Sequence, residues 1–309
     1  MTGARGPGRR RLRPVTLQGM LGRSLGRRVT SSLLHRDGVW VRLHRVGTAP
    51  VDPALPHGLP GAPAPAFLLL HGIGASGRYF RPLAEELSRH GVVHVLDLPG
   101  FAGLPDPPRR LSVPDFAAVV DGVLRAGGVR DPVLVGHSMG TQVAVELLAG
   151  HAGYSRAVLV GPVVDASARS VAAQLLRFAR TTAHEPVRVS VAVAASYVRA
   201  GAPWYLAVLP EMMRYRIEDR LAHVAGAVTL LRGDNDAVAP ASWVESLAAV
   251  PTRAGGPPRT ARTVPGGAHA VMYSRPAEVA AAAVALARPP ADAPAPAPVG
   301  TQGRAGAAR

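Results

Sequence analysis

Along residues 38–288 the hydrophobic positions switch between two patterns. Val39, Val41 and Leu43 alternate with Trp40, Arg42 and His44, the period of two of a half-exposed strand. Short apolar runs at 66–70, 92–96, 132–135 and 157–160 stop at His, Asp or Gly, and one at 227–231 stops at Arg232-Gly233, as buried parallel strands do. Helical spacing fills the intervals, and Ser112-Val-Pro-Asp115 opens one helix with a capping-box-like start and Pro near its first turn. Strands separated by helices predict an α/β fold with a mostly parallel, doubly wound sheet. One interval, 165–222, is too long for a crossover. It is mostly helical in pattern and holds Phe178, Tyr197, Trp204, Tyr205, Met212, Met213 and Tyr215. We read it as an inserted helical lid.

The two ends lack this alternation. Residues 1–14 have no apolar stretch, and 289–309 alternate Pro and Ala, so both read as disordered. In between, Leu17, Leu21, Leu25, Val29 and Leu33 recur at a spacing of four with Arg23, Arg27 and Arg28 among them, which predicts a basic amphipathic helix over 15–34. The expected organisation is therefore an N-terminal arm (1–34), a core in two pieces (35–164 and 223–288), the lid (165–222) and a tail (289–309). No long apolar run follows the arginines, and the longest run, Val279–Ala287, is too short to span a bilayer. The expectation is a soluble, cytoplasmic protein.

Composition narrows the chemistry. The 309 residues are ample for a buried core, and 48% hydrophobic content excludes a wholly disordered chain. Without cysteine there is no disulfide scaffold, no cysteine nucleophile and no thiolate metal site. A net charge of +15 suggests a polyanion partner, but its distribution does not. Eleven arginines against Asp37 give residues 1–50 a net +10, and 51–288 carry only +4. Nucleic-acid binding by the body of the protein loses its support. The arm has two readings: a weak peripheral contact with anionic lipid, and an extension without a role.

Two glycine motifs carry candidate chemistry. Gly72, Gly74 and Gly77 follow a strand, with Asp97 ending the next one, the layout of a dinucleotide fingerprint. The same loop could instead present backbone N–H groups to an oxyanion. Gly22-Arg-Ser24-Leu-Gly26 has the G-x-S-x-G form but no preceding strand. Gly136-His-Ser138-Met-Gly140 has a strand before it and an amphipathic helix after it, the context of a strained nucleophilic serine. A serine needs a base, and the base an orienting acid. Arg232-Gly-Asp234-Asn-Asp236 and Val264-Pro-Gly-Gly-Ala-His269 each follow a strand and supply them in the order Ser, Asp, His. Asp234, Asp236 and Asp165 are all candidates for the acid. His71 and His137 flank the site and are expected to be structural. No histidine cluster resembles a metal site.

With these motifs in order, the chain resembles the α/β-hydrolase superfamily, in particular its lid-bearing serine esterases and cofactor-free haloperoxidases, over roughly 38–288. The matching pieces are the His-Gly loop at 71–74, Asp97-Leu-Pro-Gly100, the Gly136–Gly140 elbow, Gly233-x-x-Asp236-x-Val-x-Pro240 and His269 ahead of Pro276. The resemblance implies an α/β-hydrolase fold with about eight strands, a catalytic triad of Ser138, Asp236 and His269, and an oxyanion hole from the N–H groups of Ile73 and Met139. Thr141 stands where relatives often carry a third glycine. The implied activity is hydrolysis of a carboxylic ester of a small to medium apolar substrate through an acyl-enzyme, with no cofactor and no metal. Thioester, lactone and C–C bond hydrolysis, or haloperoxidase-like perhydrolysis, are the alternatives on the same fold. A nucleotide-dependent oxidoreductase and a non-catalytic ligand-binding member are the readings from other classes.

Overall fold

The computed structural model describes residues 15–16, 29–47, 64–184, 202–253 and 255–288. Its strands are β1 (Val15–Thr16), β2 (Val29–Arg36), β3 (Val39–Val46), β4 (Ala66–Leu70), β5 (Val92–Asp97), β6 (Val133–His137), β7 (Arg156–Val160), β8 (Ala227–Gly233) and β9 (Thr260–Val264). They form one nine-stranded sheet in the order β1-β2-β3-β5-β4-β6-β7-β8-β9. The strands from β4 onward pair in parallel, and β1, β2 and β3 add an antiparallel wing on β5. The chain leaves β4 for β5 on one side and returns to β6 on the other. That switch opens a crevice at the carboxyl ends of β4 and β6, where α/β sheets place ligands.

The helices are α1 (Arg81–Leu87), α2 (Val113–Ala126), α3 (Met139–Gly150), α4 (Val171–Thr182), α5 (Ala202–Arg214), α6 (Ile217–Leu221), α7 (Ala241–Ala248), α8 (Val271–Ser274) and α9 (Pro276–Ala287). Both sheet faces are covered. Leu68, Leu70 and Leu134 point into a core with α2, α3 and α7, while Phe67, Leu69 and Val133 point to the opposite core with α1 and α9. Each aliphatic or aromatic side chain so buried contributes roughly 1.5–3 kcal/mol. This is why the central strands read as unbroken apolar runs. The start of α2 is a true capping box: Asp115 N–H donates to Ser112 Oγ (3.3 Å), and Ser112 N–H to Asp115 Oδ2 (2.9 Å).

The basic helix expected over 15–34 is replaced, in its described parts, by β1 and β2. A spacing of four matches one face of a helix, but it also matches one face of a strand, whose side chains repeat every two residues. Pairing decides between them: β2 runs antiparallel to β3 along its whole length of eight residues. The expected boundary between arm and core at 34/35 therefore falls inside a strand. β9 carries no apolar run, and only Val264 of its five residues is buried. Between β7 and β8 lie a 3-10 turn at Ala166–Ala168, α4, α5 and α6. Residues 1–14, 17–28, 185–201 (with Tyr197) and 289–309 lie outside the described residues. No helix among the described residues is long and apolar enough to cross a membrane.

Candidate active site

Ser138 stands between β6 and α3 with φ 55° and ψ −122°, a backbone conformation that costs a non-glycine residue about 1–3 kcal/mol. Its two glycines let the turn close. A Cβ on Gly136 would lie 2.3 Å from the Gly140 carbonyl oxygen, and one on Gly140 would lie 2.1 Å from that of Leu70. Ser138 N–H donates to Val160 O of β7 (3.0 Å), and Thr141 Oγ1 donates to Ser138 O (2.6 Å). The hydroxyl of Thr141 thus holds the turn from below. Met139 begins α3, so its N–H belongs to the first-turn donors that have no intrahelical acceptor.

Asp236 and His269 come from the loops after β8 and β9. His269 Nδ1 donates to Asp236 Oδ2 at 2.9 Å, while Asp236 Oδ1 accepts from the N–H groups of Val238 (2.9 Å) and Ala239 (3.1 Å). Asp236 is buried. Burial pushes its carboxyl up, but the adjacent His269 and the N–H donors outweigh that and hold it below the usual carboxylate range. The other two candidate acids are occupied elsewhere. Asp165 accepts from Ser167 N–H (2.8 Å) and pairs with Arg177; Asp234 is exposed and accepts from its neighbour Asn235.

A buried relay joins the two loops that flank Ser138. His137 Nε2 lies 2.9 Å from His269 O, and since a carbonyl only accepts, that nitrogen carries the proton. Burial, and then the neighbouring His269, push the His137 ring well below the usual histidine value, so its Nδ1 is bare and accepts from Tyr79 O–H (2.8 Å). Tyr79 in turn accepts from Gly72 N–H (2.9 Å), the residue before Ile73. His71 likewise serves structure: Nδ1 donates to Gly72 O (2.8 Å), and Nε2 accepts from Leu98 N–H (2.9 Å). Asp97 accepts from Gly77 N–H (2.7 Å), Arg42 (2.9 Å) and His44 (3.2 Å) and is buried. With its oxygens taken, it offers nothing to a ribose hydroxyl, and the dinucleotide reading loses its acid.

Ser138, His137 and His269 open on one cavity of about 410 Å³, within the usual range for ligand pockets. Ile73 also lines it, as do Val163, Leu175, Phe178, Tyr205, Leu209 and Met212, so the wall is mainly apolar and comes largely from α4 and α5. Trp204, by contrast, is buried away from it, with Nε1 donating to Pro99 O (3.0 Å). Among the described residues no group of three or more His, Cys, Asp or Glu could hold a metal ion.

Four residues were not singled out from the sequence. Arg232 is buried and braces the acid loop through the carbonyls of Asp234, Asp236 and Ala239 (3.1, 3.1 and 2.8 Å). Gly161, at φ 56°, leaves the room that the His–Asp pair occupies: a Cβ there would lie 2.9 Å from the His269 ring and 3.1 Å from Asp236 Oδ2. Tyr79 and Thr181 complete the set. The RGD-x-D loop could have drawn attention to Arg232, but the other three touch the site only through distant strands and helices.

Known proteins agree with this architecture. Residues 67–282 match the model of the alpha/beta hydrolase family. A pimeloyl-[acyl-carrier protein] methyl ester esterase of Xanthomonas campestris pv. campestris (strain B100) is 31% identical over 245 residues, covering 71% of this chain and 93% of the relative. Among solved structures, a hydrolase from Pseudomonas aeruginosa PA01 superposes with a TM-score of 0.63 at 20% identity, covering 83% of this chain and 97% of the other. A serine hydrolase involved in carbazole degradation gives a TM-score of 0.65 at 16% identity, covering 84% and 98%. At these identities the structural likeness concerns the fold.

Proposed function

The chain belongs to the alpha/beta hydrolase family, and from that premise we propose that it is a serine hydrolase cleaving a carboxylic ester of a small to medium apolar substrate. The observation that carries the reading is Ser138: a strained serine at a helix N-terminus, on the same cavity as a histidine bonded to a buried carboxylate.

In the first step Ser138 Oγ attacks the ester carbonyl carbon, and His269 Nε2 takes the hydroxyl proton. Asp236 keeps Nδ1 protonated and stabilises the imidazolium. The carbonyl oxygen becomes an oxyanion facing the N–H groups of Ile73 and Met139, where loss of a single donor typically costs roughly 10²–10³ in rate. Collapse breaks the C–O bond, the alkoxide takes the proton from His269, and the alcohol leaves. Water then attacks the acyl-enzyme carbonyl while His269 takes a proton from it; the bond between the acyl carbon and Ser138 Oγ breaks, His269 returns the proton to Oγ, and the free acid leaves. α4 and α5 act as the lid over the acyl chain. The relative's ester substrate agrees with this bond class, and the apolar wall favours an uncharged acyl group.

Hydrolysis of p-nitrophenyl acetate, butyrate and octanoate by the wild type and by Ser138→Ala tests the reading. The expected result is turnover of all three by the wild type and none above background by the variant. Equal turnover by both overturns it.

A further inference from the structure

α4 forms part of the pocket wall, yet it is barely built into the core. Of its twelve residues, Thr181 is the buried one (1% exposed), while Leu175 and Leu176 are 57% and 63% exposed. Thr181 Oγ1 accepts the N–H of Ala237 at 2.8 Å. Ala237 directly follows Asp236 and precedes Val238, whose own N–H holds Asp236 Oδ1 (2.9 Å). One turn earlier, Phe178 stands edge-on to the His269 ring with centroids 6.4 Å apart. In the middle of α4, directly before Phe178, Arg177 pairs with Asp165. The helix that lines the cavity through Leu175 and Phe178 is thus also the outer brace of the acid loop.

We propose that Thr181 is a positioning residue for the Asp236–His269 pair, and that an acyl chain filling the pocket seats α4 and thereby aligns that pair. The inference rests on the serine-hydrolase reading and adds a regulation to it: acyl length is read out in kcat as well as in KM. A helix held by few buried apolar contacts is easily displaced, and a small misplacement of catalytic groups is costly. An acetyl group adds no apolar contact to Leu175, which is more than half exposed on the cavity wall. An octanoyl group packs against Leu175 and Phe178 and holds Thr181 on Ala237.

Steady-state kinetics with p-nitrophenyl acetate and octanoate test this on wild type, Thr181→Val and Thr181→Ser. In the wild type kcat rises with acyl length. Thr181→Val keeps the shape but not the acceptor, so it lowers kcat for the octanoate about tenfold, flattens the length dependence and leaves KM within about twofold. Thr181→Ser restores the wild-type values. Unchanged kcat in Thr181→Val, a loss confined to KM, or an equal loss in Thr181→Ser overturns the proposal. Hydrogen exchange of the wild type needs no substitution. The amide of Ala237 should exchange more slowly after phosphonylation of the serine by an octyl-chain than by an ethyl-chain fluorophosphonate, and equal rates overturn the coupling. A wild type that turns over neither ester overturns the serine-hydrolase reading instead.

Discussion

The molecule contains two Ser–His–Asp constellations, and they make an instructive pair. Ser31 Oγ lies 2.7 Å from His44 Nδ1, and His44 Nε2 lies 3.2 Å from Asp97 Oδ2. The residue types match those of Ser138, His269 and Asp236, but the ring is reversed: His44 meets its serine through Nδ1 and its acid through Nε2, whereas His269 meets Asp236 through Nδ1. Both acids are buried and bonded to a histidine, but the two serines stand in different surroundings. Ser31 sits in the extended backbone of β2, paired with β3, with no helix N-terminus beside it and no place on the cavity. Asp97 shares its charge with Arg42 and holds the 71–77 loop through Gly77, whereas Asp236 takes two N–H donors and one histidine. A serine, a histidine and an aspartate joined by hydrogen bonds are therefore not by themselves a reactive site. What sets the second constellation apart is the strained elbow at the start of α3 and the apolar cavity onto which it opens.

The comparison can be broken by substitution. Ser138→Ala is expected to lower kcat by about 10⁶, as removal of a triad serine does elsewhere, with the melting temperature unchanged because alanine keeps the Cβ and the strained backbone of the turn. Asp236→Asn should cost about 10⁴ in kcat by favouring the wrong histidine tautomer, measured on the same ester. Gly161→Ala forces a methyl toward the His269 ring at a backbone angle that suits glycine, and a loss of about 10² in kcat is expected from the displaced base.

Smaller effects separate stability from chemistry. Burial lowers the pKa of His71 and His137, and burial with the nearby Arg45 lowers that of His94 to about 4. A histidine with a depressed folded pKa takes up its proton on unfolding once the pH drops below about 6.5. Stability should thus be flat above neutrality and fall as the pH drops below about 6.5, with the share of His94 ending at about 4, by at most about 1.4 kcal/mol per pH unit for each of these histidines. Thermal melts across that range check the slope and its sign. Least of all, Ser31→Ala should cost about 1 kcal/mol of stability, the worth of one hydrogen bond, and leave kcat untouched.

How much of this could be read in advance depends on distance along the chain. The elbow was legible because strand, glycines, serine and helix are consecutive from Val133 to Thr141, and their order alone names the motif. Candidates for acid and base could be picked because each follows a strand in an expected order; the order alone left Asp234, Asp236 and Asp165 open, and the family resemblance pointed to Asp236, the one that bonds His269. β2 was misread because leucines four apart suit two periodicities and only pairing with β3 chooses. β9 has no apolar signature, since an edge strand with one buried residue needs none. Tyr79, Gly161 and Thr181 carried no signal at all: each matters through a contact made across the sheet or from the inserted helices, and a sequence does not display such contacts.

The central claim, that one of two serine constellations is the nucleophile, is tested most directly by treating the wild-type protein with a fluorophosphonate and locating the adduct by peptide mass spectrometry. The account predicts one adduct per chain, on the peptide containing Ser138, and none on the peptide containing Ser31. An adduct on Ser31, or a native protein that takes no label, would contradict it.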